Sequence, residues 1–311
     1  MSQVAAPATA QGSATFKARD VEELIDFYLH RRAANWVVRA VASTNVRPDQ
    51  ITVASGLAAV AGGAFVGLAS APWHLAVGAF LFFSSIVLDC SDGQLARLKG
   101  QSSFAGTYLD GMVDAVATTA IFVGHFAFML RHDVGFWLAW CLGWLAGYAV
   151  KWHAHTYDHV KNVYLLNTEP PEKSAAAYPS MEMFDRERDE HLRHGRRASA
   201  FMTDGYRRFV IKQREKDKTR DPAVATTDAE RALYRSIFRP YMRAWTFNGL
   251  GTHLFLLVLA TVGCIVDPRA PLVAWLLFIV PFTVLAFVLV AQRPRLEARY
   301  AAERARLAGG A

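Results

Sequence analysis

Six long apolar segments interrupt this chain, and they restrict its possible folds more than any other feature. Each is close to the roughly 20 residues that an α-helix needs to cross the hydrocarbon core of a bilayer. A backbone in lipid must satisfy its own hydrogen bonds, and the sequence lacks the regular alternation of a membrane β-barrel. We therefore predict an all-α polytopic membrane protein with six transmembrane helices. The predicted spans are residues 51–70, 73–90, 107–130, 133–150, 246–266 and 271–292.

The basic residues indicate how these helices are oriented. The chain has 34 Lys and Arg against 27 Asp and Glu, a net charge of +7. If both termini face the cytoplasm, only Arg131 and Arg269 of these 34 basic residues lie on the other side. The positive-inside rule thus predicts a multi-pass protein, in the inner membrane if the cell is bacterial, with both termini cytoplasmic. The anionic leaflet accounts for the charge, and no motif supports nucleic-acid binding.

The polar sequence around the spans divides the chain further. Residues 21–48 place apolar side chains at helical intervals among arginines, so we predict an amphipathic helix in the cytoplasmic interface. A soluble helix packed on the insert is the alternative. Three cysteines without a Cys-x-x-Cys pair exclude a disulfide scaffold and a cysteine zinc site. The predicted organisation is a disordered tail (1–20), the amphipathic helix (21–48), spans one to four (49–150), a charged cytoplasmic insert, part helical and part flexible (151–243), spans five and six (244–292), and a basic cytoplasmic tail (293–311).

Four aspartates stand at the predicted cytoplasmic ends of the second and third spans. The first two are three residues apart and the last two are four apart, so each pair shares one face of a helix. The link 98–106 is short and polar, which predicts antiparallel neighbouring helices whose carboxylates converge. Charged groups in a membrane are costly and typically functional. The four are Asp89, Asp92, Asp110 and Asp114.

Converging carboxylates of this kind indicate a cation site. In a low dielectric they cannot all remain ionised without cations. Carboxylate oxygens favour Mg²⁺ or Mn²⁺, and four carboxylates are sufficient for two such ions. Two ions beside Arg97 are suited to bind a pyrophosphate and to stabilise an in-line displacement at phosphorus. Lys99 and Ser103 are expected to lie close enough to assist.

The stretch from Asp89 to Asp114 resembles the signature of the CDP-alcohol phosphotransferase (CDP-alcohol phosphatidyltransferase) family. That signature reads D-x2-D-G-x2-A-R-x8-G-x3-D-x3-D, and every specified position is matched. The resemblance implies a six-helix integral membrane enzyme, commonly a homodimer, with a cytosol-facing site for two divalent cations. It implies that Asp89, Asp92 and Asp110 are metal ligands, and that Asp114 is the general base and also touches a metal.

The resemblance also implies where the nucleotide binds. The family often has Pro-Asn-x-x-Thr before the first span, in contact with the cytidine, and here the sequence is Pro48-Asp49-Gln50-Ile51-Thr52. Thr52 fits that pattern, whereas Asp49 replaces an asparagine and removes an amide donor. The residues that would contact the CDP group and its diphosphate are Gly93, Arg97 and Ser103.

The implied reaction is the transfer of a substituted phosphate group. The phosphoalcohol part of a CDP-alcohol would move to the hydroxyl of an acceptor alcohol, with release of CMP. The family's usual bacterial donor is CDP-diacylglycerol, which would place the enzyme in phospholipid biosynthesis. A soluble donor such as CDP-choline, CDP-ethanolamine or CDP-inositol is the alternative. A cation transporter is a further alternative, although its carboxylates would be expected nearer the bilayer midplane.

Three basic residues, Lys151, Arg239 and Arg243, flank the insert at the depth expected for the site. They would suit a phosphorylated acceptor such as inositol phosphate or glycerol phosphate. The alternative is that they anchor the helices by extending to the membrane surface. A run of histidines (His153, His155 and His159) resembles a metal cluster, but no carboxylate or cysteine partner stands at ligand spacing, so we expect a solvated group.

Overall fold

The computed structural model describes residues 19–170, 179–217 and 224–309. These residues contain no β-strand and are mostly helical, so the predicted all-α class is confirmed. The predicted disordered tail, residues 1–20, lies outside the described residues except at its end, where a 3-10 turn covers Arg19–Val21. Residues 310 and 311 of the predicted basic tail also lie outside them.

Helices cover most of the residues of each of the six predicted segments. Two π-helical turns are present among them: Asp26–His30 precedes α1, and Phe278–Phe282 precedes α11. A 3-10 turn, Thr246–Asn248, joins α8 to α9. The helices are α1 (Arg31–Val41), α2 (Pro48–Gly67), α3 (Pro72–Lys99), α4 (Phe104–Arg131), α5 (Phe136–Thr168), α6 (Met181–Arg193), α7 (Arg197–Asp217), α8 (Asp228–Trp245), α9 (Leu250–Gly263), α10 (Ala270–Leu277) and α11 (Thr283–Gly309).

Five helical stretches of the described residues are long and apolar enough to cross a membrane, which confirms a polytopic membrane protein. The predicted span 133–150 falls in the first half of α5, which is not among the five. Its exposed Trp137, Trp144 and Tyr148 lower its mean hydropathy, although such side chains are common at membrane surfaces. The sixth span therefore stays a prediction. The five stretches are Pro48–Gly67, Pro72–Lys99, Phe104–Arg131, Asp228–Gly263 and Ala270–Leu307.

The helix that contains the second predicted span, 73–90, continues past that span and through the motif residues up to Arg97. Polar residues interrupt the apolar run there, but they do not interrupt the helical hydrogen bonds, so α3 extends to Lys99. Gly100 ends the helix with a φ of 62°, a left-handed conformation that glycine adopts without strain. All of the motif up to Arg97 is therefore presented on one continuous helix.

The chain divides into two compact units, and the first comprises Met1–Gly147 and Gly251–Leu276. In this unit α2 packs against both α3 and α4, far more than those two pack against each other. A Cβ atom at Gly63 would lie 2.5 Å from the carbonyl oxygen of Ala120, and one at Gly124 would lie 2.7 Å from that of Gly63. Helices α2 and α4 thus cross at backbone contact, as membrane helices with small residues do.

The N-terminal segment packs on α3 within the same unit. The predicted helix is confirmed over Arg31–Val41, and it buries Ala34 and Val38. The Gln94 side chain of α3 donates a hydrogen bond to the Arg31 carbonyl at 3.2 Å. Trp36 remains 75% exposed, which suits the interfacial position that is predicted for this helix.

The second unit comprises Tyr148–Leu250 and Leu277–Ala311. The described part of the insert is mainly helical. Helices α6 and α7 form an antiparallel hairpin, in which the Thr203 hydroxyl donates to Glu187 at 3.1 Å and the buried Phe184 ring lies 5.8 Å from that of Tyr206. Residues 171–178 and 218–223 of the insert lie outside the described residues.

Candidate active site

Three of the four predicted aspartates come together where the cytoplasmic ends of α3 and α4 were predicted. Asp89 and Asp92 lie on α3 and Asp110 lies on α4, and one carboxylate oxygen of each is within 4.8 Å of those of the other two. Asp92 is buried, and the other two are half-buried. Because the donors are all carboxylate oxygens, the group fits Mg²⁺ or Mn²⁺ better than a metal that prefers nitrogen or sulfur.

Asp114 lies one turn beyond Asp110 on α4 and does not belong to this three-residue group. Its negative charge acts on both Asp89 and Asp92. It is half-buried. The structure thus places Asp114 beside the group, and its predicted role as general base stays a prediction.

The start of α2 supports the aspartate group through a hydrogen bond. The Thr52 hydroxyl donates to Oδ2 of Asp92. The resemblance implied that Thr52 contacts the nucleotide, but its hydroxyl orients a predicted metal ligand. Pro48 is the first residue of α2, and Asp49 forms an ion pair with Arg47 at 3.1 Å near the surface.

Ser103 has a structural partner at the start of α4. Its Oγ accepts a hydrogen bond from the Gly106 backbone N–H at 3.0 Å and so caps the helix. A Cβ atom at Gly106 would lie 3.1 Å from this Oγ and 3.7 Å from Oδ1 of Asp49. The motif glycine therefore lets the starts of α2 and α4 approach each other beside the aspartates.

Arg97 folds back along α3 toward the aspartates. A Cβ atom built on Gly93 would lie 3.5 Å from Nη1 of Arg97, which is ordinary van der Waals contact. The charge of Asp92 acts on the guanidinium, as do those of Glu22 and Arg31. Arginine is generally suited to bind phosphate oxygens, and the role of Arg97 in binding the diphosphate stays a prediction.

A buried ion pair next to Arg97 was not predicted from the sequence. The Arg31 Nε atom lies 2.7 Å from Oε1 of Glu22, and their side chains are only 8% and 2% exposed. Arg31 stands nine positions after Glu22, and the geometry changes from π-helical to α-helical between them, so no regular spacing identifies the pair. Burial of an arginine in an otherwise amphipathic segment is the feature that requires such a partner.

Lys99 binds elsewhere than expected. Its Nζ atom donates hydrogen bonds to the carbonyl oxygens of Thr44 and Val46, each at 2.8 Å. The lysine therefore fixes the loop that leads into α2, and the expectation that it assists at the phosphate is not supported. Its position at the end of α3 gave no indication of these backbone partners.

The predicted acceptor residues all belong to the second unit, whereas the aspartates belong to the first. Lys151 and Arg239 are exposed and Arg243 is half-buried. Their role in acceptor binding stays a prediction. His153 bonds to the Thr283 hydroxyl at 3.1 Å and His159 to Arg293 at 3.3 Å, and within the described residues only aspartates form a group with metal-ligand spacing.

These features define the class of protein. Within the described residues, the protein is a mostly helical membrane protein with three aspartates that could hold a metal ion and an arginine beside them. Residues 45–160 match the sequence model of a family described as CDP-alcohol phosphatidyltransferase, and the matched stretch contains the whole motif. The match confirms the family that the motif predicted, so the protein is a transferase of substituted phosphate groups. No curated protein matches the chain.

Proposed function

We propose that the protein transfers a phosphatidyl group from CDP-diacylglycerol to the hydroxyl of a polyol phosphate, such as inositol phosphate or glycerol phosphate, and releases CMP. The convergence of Asp89, Asp92 and Asp110 beside Arg97, within the matched family region, carries this proposal. The product would be a phospholipid. As the family resemblance implies, the enzyme would work as a homodimer, with its active site and both termini in the cytoplasm.

The aspartates would hold two divalent cations, Mg²⁺ or Mn²⁺. Asp89, Asp92, Asp110 and Asp114 supply oxygen donors only, which is the donor set that such cations prefer. When bound, the cations would neutralise the diphosphate and the charge that develops on the leaving CMP. Thr52 would keep the Asp92 carboxylate oriented, as hydrogen-bond partners of metal ligands commonly do.

The nucleotide would lie between Arg97 and the start of α2. Arg97 would bind diphosphate oxygens, and Gly93 would let the nucleotide approach the backbone of α3. The Asp49 carboxylate can accept a hydrogen bond from the cytosine amino group. Arg47, paired with it at 3.1 Å, can supply the donor that the family's asparagine would have provided. Pro48, Thr52 and Ser103 complete this region.

Asp114 would act as the general base. The proton of the acceptor hydroxyl would pass to the Asp114 carboxylate, and the hydroxyl oxygen would form a bond to the β-phosphorus. The bond between that phosphorus and the bridging oxygen would break, and its electron pair would leave with CMP. Lys151, Arg239 and Arg243 would bind the phosphate of the acceptor.

A screen of the purified protein in nanodiscs, with CMP release as the readout, tests this function. CDP-diacylglycerol and Mg²⁺ or Mn²⁺ should give CMP only with certain polyol phosphates. Lys151→Ala and Arg243→Ala should raise KM for the acceptor and leave KM for the donor unchanged. CMP formation only from CDP-choline, CDP-ethanolamine or CDP-inositol would establish a soluble donor instead. Ion flux across liposomes without any CMP release would contradict the transferase assignment.

A further inference from the structure

The outer face of α7 differs in charge from the rest of the insert. Between residues 197 and 212, every exposed charged side chain is basic. At roughly 100° per residue, four of the exposed positions fall within about 60° of the helix circumference, and Phe209 adjoins them. We call this surface the basic-aromatic face of α7; it consists of Arg197, Phe201, Arg208, Phe209 and Lys212.

Two acidic residues of the hairpin each pair with an arginine of the other helix. Half-buried Asp204 stands at the edge of the face and lies 3.8 Å from Arg188 of α6. Asp185 of α6 pairs with Arg207 at 3.8 Å. The hairpin contact therefore extends only to the edge of this face, and Phe201 remains 64% exposed.

The position of α5 beside α11 indicates the level of the membrane edge within this unit. Residues 271–292, which include the first part of α11, carry no charge and belong to a membrane-crossing stretch. The Trp152 ring lies 5.1 Å from that of Phe287 in this uncharged part. Arg293 is the first charged residue after it and contacts His159. The membrane edge therefore falls between residues 152 and 159 of α5.

Helix α7 meets α5 at that same level. The Phe209 ring lies 6.5 Å from that of His155, and His155 lies between residues 152 and 159 of α5. The charge of Asp158 also acts on Tyr206 of α7. An exposed helix face with arginine, lysine and phenylalanine, held at the edge of the hydrocarbon region, has the composition of an interfacial helix.

We propose that the basic-aromatic face of α7 binds the anionic phospholipid headgroups of the cytoplasmic leaflet. The arginines and the lysine pair with lipid phosphates, and Phe201 and Phe209 enter the interface below them. The hairpin is thereby held against the bilayer. This inference depends on the insert and on α11, and not on the aspartate site, so it stands or falls independently of the substrates of the transfer reaction.

Photo-cross-linking in nanodiscs tests the proposal directly. Benzoylphenylalanine replaces Phe201 in the full chain, and lipid adducts are identified by mass spectrometry in phosphatidylcholine with and without phosphatidylglycerol. Phosphatidylglycerol adducts should exceed that lipid's share of the bilayer several-fold. The same reporter at Glu190, an exposed position of α6 outside the face, should give few lipid adducts. No lipid adduct at position 201, or an adduct with a second protein chain, would overturn the proposal.

Charge variants separate lipid binding from simple proximity. The triple variant Arg197→Gln, Arg208→Gln and Lys212→Gln should abolish the preference for phosphatidylglycerol at position 201. Arg186→Gln on α6, which removes an arginine whose side chain is 83% exposed, should leave the preference unchanged. Unchanged thermal unfolding of both variants excludes misfolding as the cause. A preference that survives the triple variant would overturn the headgroup assignment.

Discussion

The aspartate site of the first unit and the insert of the second place charged groups in opposite ways. At and beside the aspartate site, charged side chains are buried or half-buried in pairs and clusters, with Glu22 and Arg31 joined at 2.7 Å. In the insert they stay on helix surfaces, and the ion pair between Arg186 and Glu182 is more than 80% exposed on both sides. A buried charge requires an oppositely charged or hydrogen-bonding partner, whereas an exposed charge is solvated by water on the helix surface. The first arrangement specifies chemistry, and the second specifies where a segment lies.

The two regions also differ in how closely their helices approach. Gly63 and Gly124 allow α2 and α4 to meet at backbone distance, which fixes the helices that carry the site. The α6–α7 hairpin is joined by side-chain hydrogen bonds and ion pairs. We therefore expect substitutions in the first unit to have large effects on activity and stability, and those on the insert surface to have small ones.

The largest effect is expected at the proposed base. Asp114→Asn should lower the rate of CMP release roughly 10²- to 10⁴-fold, because the acceptor hydroxyl loses its proton acceptor. Divalent-cation binding should largely survive. Asp133→Asn, at an exposed position just after α4, is the matched control and should leave turnover unchanged. Normal turnover in the Asp114 variant would remove its assignment as base.

Breaking the buried ion pair should have the next largest effect. Glu22→Gln leaves the Arg31 charge buried without its partner, which should cost about 3–5 kcal/mol of unfolding free energy, unless the segment detaches from α3. Hydrogen exchange of residues 22–41 would detect that detachment, and KM for the CDP donor should rise because Arg97 loses a neighbour. Glu182→Gln breaks the exposed pair of α6 and should cost less than about 1 kcal/mol. Equal effects of the two substitutions would contradict the comparison.

The backbone contact between α2 and α4 gives a third test. Gly63→Ala should destabilise the protein by about 1–3 kcal/mol, because the new methyl group overlaps the Ala120 carbonyl. Gly147→Ala, where a Cβ atom meets nothing within 4 Å, is the matched helical control. Thermal unfolding in detergent measures both. A smaller loss at Gly63 than at Gly147 would show that the helices do not cross this closely.

The hydrogen bond from α2 to the aspartate group should tune cation affinity. Thr52→Val removes the donor to Asp92 and should weaken Mn²⁺ binding roughly 10- to 100-fold, as loss of a ligand's hydrogen-bond partner commonly does. Thr52→Ser keeps the hydroxyl and should bind Mn²⁺ almost normally. If valine and serine had the same effect, packing at this position would matter instead of the hydrogen bond.

The smallest expected effect is a pH dependence of the N-terminal segment. Burial and the neighbouring Asp26 charge raise the pKa of Glu23 to about 8, although Gly251 and Thr252 donate hydrogen bonds to it. A raised carboxyl pKa stabilises the fold below the ordinary value near 4.5 and loses that contribution as pH rises toward 8. The protection of the amides in this segment, after correction for the base-catalysed rise in intrinsic exchange rate, should therefore fall over that range. Glu23→Gln should remove the dependence, and an unchanged profile in this variant would contradict the assignment.

The sequence predicted the site far better than it predicted the site's supports. The spacing of Asp89, Asp92 and Asp110 was enough to place three carboxylates together, because helical periodicity converts spacing into direction. The partners of Lys99 and Arg31 were not predictable, because neither contact joins residues at a regular helical spacing within one helix.

The insert shows the converse limit. Its charge density predicted a polar cytoplasmic segment but not which charges would be paired between α6 and α7. The basic-aromatic face of α7 is defined only by the structure, in which Asp204 pairs with Arg188 and Phe201 is exposed. Composition indicates that such a segment is solvated, while the pairing of its charges determines which surface is left for a partner.

Counting the Mn²⁺ ions bound by the full chain in nanodiscs, by electron paramagnetic resonance with CDP-diacylglycerol present, tests the central claim most directly. Two magnetically coupled ions per chain are expected for the unchanged protein. Asp92→Asn should lose this signal and Asp133→Asn should retain it. Equal binding by both variants, or no coupled ions in the unchanged protein, would contradict a shared cation site between α3 and α4.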